Sequence, residues 1–152
     1  AAANGASLQE CRSIAEKAKY HIGALFVVST LEYLHRGGRI GGASAFLGTA
    51  LNLKPLLELR DGRIEAIERV RTMSKATDRL LDVLEERVGN KTPLRLCSLH
   101  ANSPDAANDL MTKASQRFGE SNLSEALCAE ISPVLGTHTG PGTVGMAFMS
   151  GM

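Results

Sequence analysis

The stretch Leu56-Leu57-Glu58-Leu59-Arg60-Asp61-Gly62-Arg63-Ile64-Glu65-Ala66-Ile67-Glu68-Arg69-Val70 decides the fold class. Two runs suited to a pleated strand flank Asp61-Gly62, and an Asp-Gly between such runs marks a tight hairpin turn. The two strands are therefore expected to be antiparallel. In the second of them Ile64, Ala66, Glu68 and Val70 alternate with Arg63, Glu65, Ile67, Arg69 and Arg71. A regular register would put Arg69 and Arg71 together on the more polar face.

Upstream of the hairpin, Leu8, Cys11, Ile14, Ala15 and Ala18 recur at helical spacing, which predicts an amphipathic helix over residues 7–20 opened by Ser7. Ala24 to Val28 reads as a buried strand. Ser29 and Glu32 have the spacing of a capping box, so a short helix through Tyr33 and Leu34 should follow and stop at Gly37-Gly38. Gly41-Gly42 punctuates before a helical stretch of small residues from Ala43 to Leu51. Downstream, Ser74 can cap a helix with an apolar stripe of Ala76, Leu80, Leu81, Leu84 and Val88, ended by Gly89-Asn90. Leu94 to Leu99 suits a strand, and Ser103-Pro104 opens a helix burying Ala106, Leu110, Met111, Ala114 and Phe118. Strands over Leu123 to Ile131 and Thr143 to Met149 complete the chain. Helices lie between strands, yet one strand pair is a hairpin, so the expectation is an α/β fold with a mixed six-stranded sheet and helices on at least one face.

With 152 residues, 43% apolar and 22% charged, the chain has the size and composition of one globular domain. Lys plus Arg number 17 against 16 Asp plus Glu, and the resulting +1 gives no field to attract nucleic acid or an anionic membrane. Any anion site must be local. Cys11, Cys97 and Cys128 are odd in number and far apart, which argues against a disulfide framework and for a reducing, cytoplasmic setting. His21, His35, His100 and His138 are scattered, and no metal-binding spacing unites them. No apolar run reaches the roughly 18 residues of a membrane span. The opening Ala1-Ala2-Ala3-Asn4-Gly5 has no initiator Met and runs quickly into a helix, as expected of a piece cut from a larger protein. Such a piece can expose a face, and half a ligand site, that a partner domain covers.

Chemistry concentrates in Gly136-Thr137-His138-Thr139-Gly140-Pro141-Gly142-Thr143. Three glycines and a proline predict an irregular loop whose backbone N–H groups, two threonine hydroxyls and imidazole could hold an anion. It is not a nucleotide loop, since no Gly-Lys-Ser/Thr follows; a plain strand connector with a surface histidine is the competing reading. In Arg36-Gly37-Gly38-Arg39, glycines before an arginine would let a guanidinium aim into a cleft, although a helix C-cap with solvated arginines explains the residues as well. Arg69 and Arg71 can equally be the solvent face of a strand. No nucleophile elbow and no flanked catalytic cysteine is present, Glu85-Glu86 reads as a solvated helix end, and His100 as a hydrogen-bonded structural residue.

Thr30-Leu31-Glu32-Tyr33-Leu34 through Gly37-Gly38-Arg39-Ile40, Leu53-Lys54-Pro55-Leu56, Arg69-Val70-Arg71-Thr72, and Ile131-Ser132-Pro133-Val134 through Gly136-Thr137-His138-Thr139-Gly140-Pro141-Gly142 together resemble the DegV family. The resemblance runs over nearly the whole chain. It implies a lipid-binding carrier, not an enzyme: a bacterial protein that buries a long-chain fatty acid and presents the carboxylate to a separate fatty acid kinase for conversion to acyl phosphate. It also implies a two-layer lobe with helices packed mainly on one face, spanning residues 1–152 as the second of two lobes. The first lobe, which in the family supplies a Thr and a Ser to the carboxylate, has no counterpart here.

The residues on this lobe that match the family's head-group region are His138, Arg39 and Arg71, with Thr137 and Thr139 beside the histidine. The ligand would be the fatty acid itself, with neither cofactor nor metal. Such a carrier would not span a membrane and would at most touch one transiently. Ala43, Ala45, Gly48 and Ala50, with Phe46 and Leu47, are candidates for part of a tail tunnel, ordinary core packing being the alternative. Two other functions stay open: an enzyme lobe acting on a small carbonyl substrate through His138, as in dihydroxyacetone-kinase-like proteins, and an interaction module with no small ligand.

Overall fold

A computed structural model of the chain describes residues 1–47 and 53–152. The elements are α1 (Leu8–Ala18), β1 (Ile22–Val27), α2 (Glu32–Arg36), β2 (Lys54–Arg60), β3 (Arg63–Val70), α3 (Met73–Val88), β4 (Leu94–His100), α4 (Pro104–Phe118), β5 (Leu123–Glu130), α5 (Pro133–Thr139) and β6 (Val144–Ser150). Short 3-10 turns occupy Ala2–Asn4, Gly41–Phe46 and Glu120–Asn122.

The hairpin forms as its sequence predicts. Asp61 (φ 50°) and Gly62 (φ 75°) make the two-residue turn, both left-handed, and Arg60 faces Arg63 across it. That geometry matches the right-handed twist of the strands it joins. The register is not regular, however: Leu57 faces Ala66 while Leu56 faces Glu68, so one residue of β3 bulges. The bulge inverts the alternation, and Ile64 and Ala66 pack on one side of the sheet while Ile67 and Val70 pack on the other. Arg69 and Arg71 consequently share no strand face, because β3 ends at Val70.

The strands form one six-stranded sheet in the order β3-β2-β1-β6-β4-β5. Four of the pairings are antiparallel and β4 with β5 is parallel, which makes the sheet mixed. Helices α3 and α4 cover the first face. Their residues Leu80, Leu84 and Leu110 interdigitate with Leu25, Val27, Leu56, Leu96 and Met146 in the main core, all of them buried. Thr72 caps α3, its Oγ1 accepting from the Lys75 N–H at 3.3 Å, in place of the expected Ser74. Helix α4 starts at Pro104 as expected, yet the Ser103 side chain caps nothing; the Ser103 N–H donates instead to His100 Nδ1 at 3.4 Å.

Among the described residues, the second face is covered at the end where β1 runs into Val28. There α2 and the Gly41–Phe46 turn place Leu31, Leu34 and Ala43 over Val28 and Leu57. Ala43 is thus ordinary core, Phe46 packs half-buried against the same cluster, Ala45 and Leu47 are exposed, and the other two candidates for a tunnel wall, Gly48 and Ala50, lie outside the described residues. Toward the other end the same face lies open as a groove of about 930 Å³ lined by Ile22, Ala24, Leu59, Leu127, Ala147 and Met149.

Helix α1 opens at Ser7 as expected, and it does so through a capping box, with Ser7 Oγ accepting from the Glu10 N–H and the Glu10 carboxylate accepting from the Ser7 N–H at 2.7 Å. Its apolar stripe is nevertheless unburied. Leu8 is 88% and Ile14 42% exposed, since none of the described residues packs over them closely enough to bury them.

Candidate functional site

The candidate site sits at one end of the sheet, where β1 finishes, β2 begins, β3 finishes and β6 begins. Val27 faces both Leu56 and Val144, and Lys54 faces Val70, so this edge brings Ser29, Lys54, Arg71 and Thr143 to the same side of the molecule. Helices α2 and α5 pack against each other over it.

The glycine-rich segment is more regular than its composition predicts. Pro133–Thr139 is a helix, with Ser132 Oγ accepting from the Leu135 N–H at 3.4 Å and Pro133 at its first turn. The Ser-Pro signal that marks the start of α4 is present here too, and it outweighs the glycine at position 136. Only Gly140-Pro141-Gly142 is loop, and Thr143 Oγ1 closes the helix end by donating to the Gly140 carbonyl at 2.8 Å. The correction extends to the two threonines. Thr137 Oγ1 donates to the Pro133 carbonyl at 2.9 Å and Thr139 Oγ1 to the Leu135 carbonyl at 3.3 Å, so both hydroxyl protons serve the helix and neither is turned to an anion.

His138, in the last turn of α5, is set against α2. A Cβ built on Gly37 would stand 2.2 Å from His138 Nδ1, so the imidazole lies directly on the bare Cα of that glycine. A Cβ on Gly140 would stand 2.3 Å from the Tyr33 ring, and Gly140 has φ +81°, so this glycine is required by both backbone and space. His138 Nδ1 is buried and has no hydrogen-bond partner. A buried N–H without an acceptor costs more than a bare lone pair, which favours the tautomer with its proton on Nε2.

Arg39 joins the histidine at the same glycine, its Nη1 donating to the Gly37 carbonyl at 2.8 Å. Arg36 pairs with Glu32 and is solvated, as the C-cap reading holds. Arg71 is exposed just past β3, on the correct end of the sheet but in no recorded contact with His138 or Arg39. Arg69 lies over the Phe46 ring, 4.7 Å from its centroid. Three residues that sequence reasoning passed over complete the neighbourhood: Gly37 as the seat of the imidazole, Ser29, whose Oγ stands 2.4 Å from a Cβ built on Gly142, and Lys54, whose Nζ donates to the Ser29 carbonyl at 3.3 Å. The Leu53-Lys54-Pro55 motif was the available signal for the last.

The open groove on the second face does not reach His138, Arg39 or Arg71. The expected apolar slot ending beside the imidazole is therefore not this groove. His21 and His100 are structural, His21 Nδ1 lying 2.8 Å from the Ser150 carbonyl and His100 meeting the start of α4, while His35 is exposed on α2. The cysteines are free. Cys97 faces Leu127 and Ser98 faces Cys128 across β4 and β5, so the two thiols fall on opposite parities of the sheet. Among the described residues no three His, Cys, Asp or Glu gather to hold a metal, and no helix is long and apolar enough to cross a membrane.

A profile described as "Uncharacterised protein, DegV family" matches residues 1–151. A DegV domain-containing protein of Streptomyces coelicolor is 42% identical over 146 residues, covering 96% of this chain and 51% of the relative. One from Mycobacterium bovis is 40% identical, again over 96% of this chain and 51% of the relative. A DegV family protein from Thermus thermophilus, solved as a fatty acid binder, superimposes with TM-score 0.87 at 38% identity, over 97% of this chain and 52% of that one. DegV of Bacillus subtilis, a fatty acid binding protein, gives TM-score 0.78 at 30% identity over 97% of this chain and 51% of that one. The chain spans about half the length of the relatives it matches. By motif, topology and these matches, the chain belongs to the DegV family.

Proposed function

We propose that this chain is the second lobe of a cytoplasmic fatty acid carrier, which holds the acyl tail in apolar surroundings and presents its carboxylate to a separate fatty acid kinase. The observation that carries the reading is His138: an imidazole seated on Gly37 with its buried Nδ1 unpartnered, beside an arginine anchored to the same glycine. The fatty acid binding of the Thermus and Bacillus relatives supports the class of ligand.

Energetics divide the work. Burying an acyl chain gains about 0.8 kcal/mol per CH2, on the order of 10 kcal/mol for a long chain before the entropy of association is subtracted. The tail supplies affinity. A carboxylate placed at His138 Nε2 gains a charge-assisted hydrogen bond and stays at the surface, where a second catalyst can reach it. Arg39 and Arg71 are exposed cations without a carboxylate partner among the described residues, suited to charge developing during phosphoryl transfer or to the kinase surface. Helix α1 and the open groove leave apolar surface for the other lobe to cover.

The test is native mass spectrometry of the two-lobed protein after bacterial expression. A co-purified fatty acid is the expected result. A ligand-free protein that also refuses added palmitate or oleate overturns the reading, and a shallow polar pocket that reacts with small carbonyl compounds at His138 would replace it with an enzyme.

A further inference from the structure

The cations of this chain fall into two groups. Arg79, Lys113 and Arg117, whose side chains are 32–34% exposed, each meet at least two carboxylates: Glu68 and Glu86 for Arg79, Asp78 and Asp109 for Lys113, Asp82 and Glu85 for Arg117. This is the ordinary condition of a half-buried cation, which loses hydration and recovers the loss from opposite charge. Lys54 is half-buried as well, yet no carboxylate among the described residues pairs with it. Its only recorded partner is the Ser29 carbonyl, at a long 3.3 Å. A β3 carboxylate close to it in register, Glu68, is taken by Arg79 at 3.0 Å.

The surroundings of Lys54 are donors. Ser29 contributes a hydroxyl directly beneath Gly142, in the turn that leaves the helix of His138. Val70, opposite Lys54, is followed by Arg71. An ammonium has three donors and one is used, so two remain for which no acceptor is found among the described residues. An anion arriving from outside would suit these donors.

We propose that Lys54 and the Ser29 hydroxyl form a second anion subsite that receives the phosphoryl group of an acyl phosphate, beside the carboxylate place at His138. The inference rests on the carrier reading and deepens it. A fatty acid ends in one negative charge, whereas a phosphate monoester-like end carries about −1.5 to −2 and three acceptor oxygens. A lone carboxylate is served by His138 Nε2 and Arg39; the added oxygens need further donors one bond farther out, and a point-charge ammonium suits them without a fixed planar geometry. The carrier would then discriminate product from substrate, holding acyl phosphate after transfer at a site the free fatty acid does not use.

The experiment compares palmitate with hexadecylphosphonate, a stable dianionic analogue at pH 8, in competition for the two-lobed protein against a fluorescent fatty acid. Wild type should bind the phosphonate more tightly than palmitate. Lys54→Gln keeps a donor for the Ser29 carbonyl and should lower phosphonate affinity tenfold or more, while palmitate affinity changes less than twofold. Equal losses for both ligands would make Lys54 a structural strut on Ser29 and overturn the proposal, as would an unchanged phosphonate affinity. Wild type alone provides a check that does not depend on how the variant folds: no preference for phosphonate over palmitate also overturns the subsite. Palmitate binding with no such preference leaves the carrier reading standing; binding of neither ligand removes both.

Discussion

Replacing Gly37 by alanine isolates the contact on which the site is built. Gly37 has φ −77° and ψ −4°, ordinary helical values, so a side chain costs nothing in backbone strain. By restricting the unfolded chain, alanine should even stabilise by about 0.4–1 kcal/mol. What opposes it is space: the new methyl would lie 2.2 Å from His138 Nδ1, whereas ordinary contact begins at 3.4 Å, so the imidazole must retreat by 3.4 − 2.2 = 1.2 Å. Overpacking of this kind costs about 1–3 kcal/mol, leaving a modest net destabilisation. The consequence for ligand is larger. A displaced imidazole forfeits a hydrogen bond to a charged group worth about 1.5–3 kcal/mol, or roughly ten- to a hundredfold in affinity. Gly38 supplies the control. It has φ +65° with open space around it, so Gly38→Ala should cost about 1–2 kcal/mol of strain and leave His138 where it is. Thermal unfolding and fatty acid competition on the two-lobed protein should separate the two variants: a comparable, modest loss of stability in both, with binding lost for Gly37→Ala and kept for Gly38→Ala. A Gly37→Ala protein that binds palmitate like wild type, or a Gly38→Ala protein that loses binding equally, would refute the seating of His138 on that glycine.

Three further outcomes are expected. Leu84→Ala removes a fully buried side chain from the core between α3 and the sheet and should cost about 2–5 kcal/mol, read as a lowered denaturation midpoint with an unchanged denaturant slope. Burial raises the Cys97 thiol above its ordinary range, with Cys128 and Glu125 adding to the shift, so iodoacetamide at pH 8 should label exposed Cys128 well before Cys97; faster labelling of Cys97 would contradict that placement. The Ser7 hydroxyl, and after it the Ser7 N–H, hold the Glu10 carboxyl below the usual carboxylate range, so its contribution to the start of α1 is complete above the ordinary carboxylate pKa and is lost as pH falls through the lowered value. Protection of the Ser7 amide against exchange should therefore fade only in that acid range and should be unchanged from pH 5 upward.

Much of the fold was legible because its signals are local. Asp61-Gly62 specifies a two-residue turn, the Leu80 and Leu84 stripe specifies α3, and Ser7 with Glu10 specifies a helix start, each within a few residues. The departures arise where a local signal competes with a distant one. Ser29 and Glu32 have capping-box spacing, but Ser29 lies under Gly142, and it is Thr30 Oγ1 that accepts from the Glu32 N–H at 3.2 Å. The bulge in β3 leaves no mark in the hairpin's own alternation, because it reflects what lies on each face: Leu34 and Ala43 on one side, Leu80 and Leu84 on the other. The site shows the same limit. His138 and Arg39 stand out by residue type, but Gly37 is informative only once α2 and α5 are known to touch. Lys54 is inconspicuous in sequence, since nothing there reveals that the chain provides it with no carboxylate.

The two faces of the sheet are built to different requirements. Behind the first face, α3 and α4 are tied together by Arg117 with Asp82 and by Lys113 with Asp78, a tie across two helices that fixes their spacing over a continuous core. Little can enter there. The second face is closed only around Val28, Leu34 and Leu57, and past that cluster it is an apolar floor without a roof. In the proposed carrier, an apolar surface left uncovered would let a hydrocarbon enter and leave, because a packed helix in its place would have to give up buried area at about 25 cal/mol per Å² with each opening. A lobe that closed this face by itself would be more stable and would exclude its cargo. In the proposed carrier, closure by a second lobe that also covered the unburied Leu8 and Ile14 of α1 would let affinity for the tail and access to the head group be adjusted by one movement, with the packed first face left unchanged.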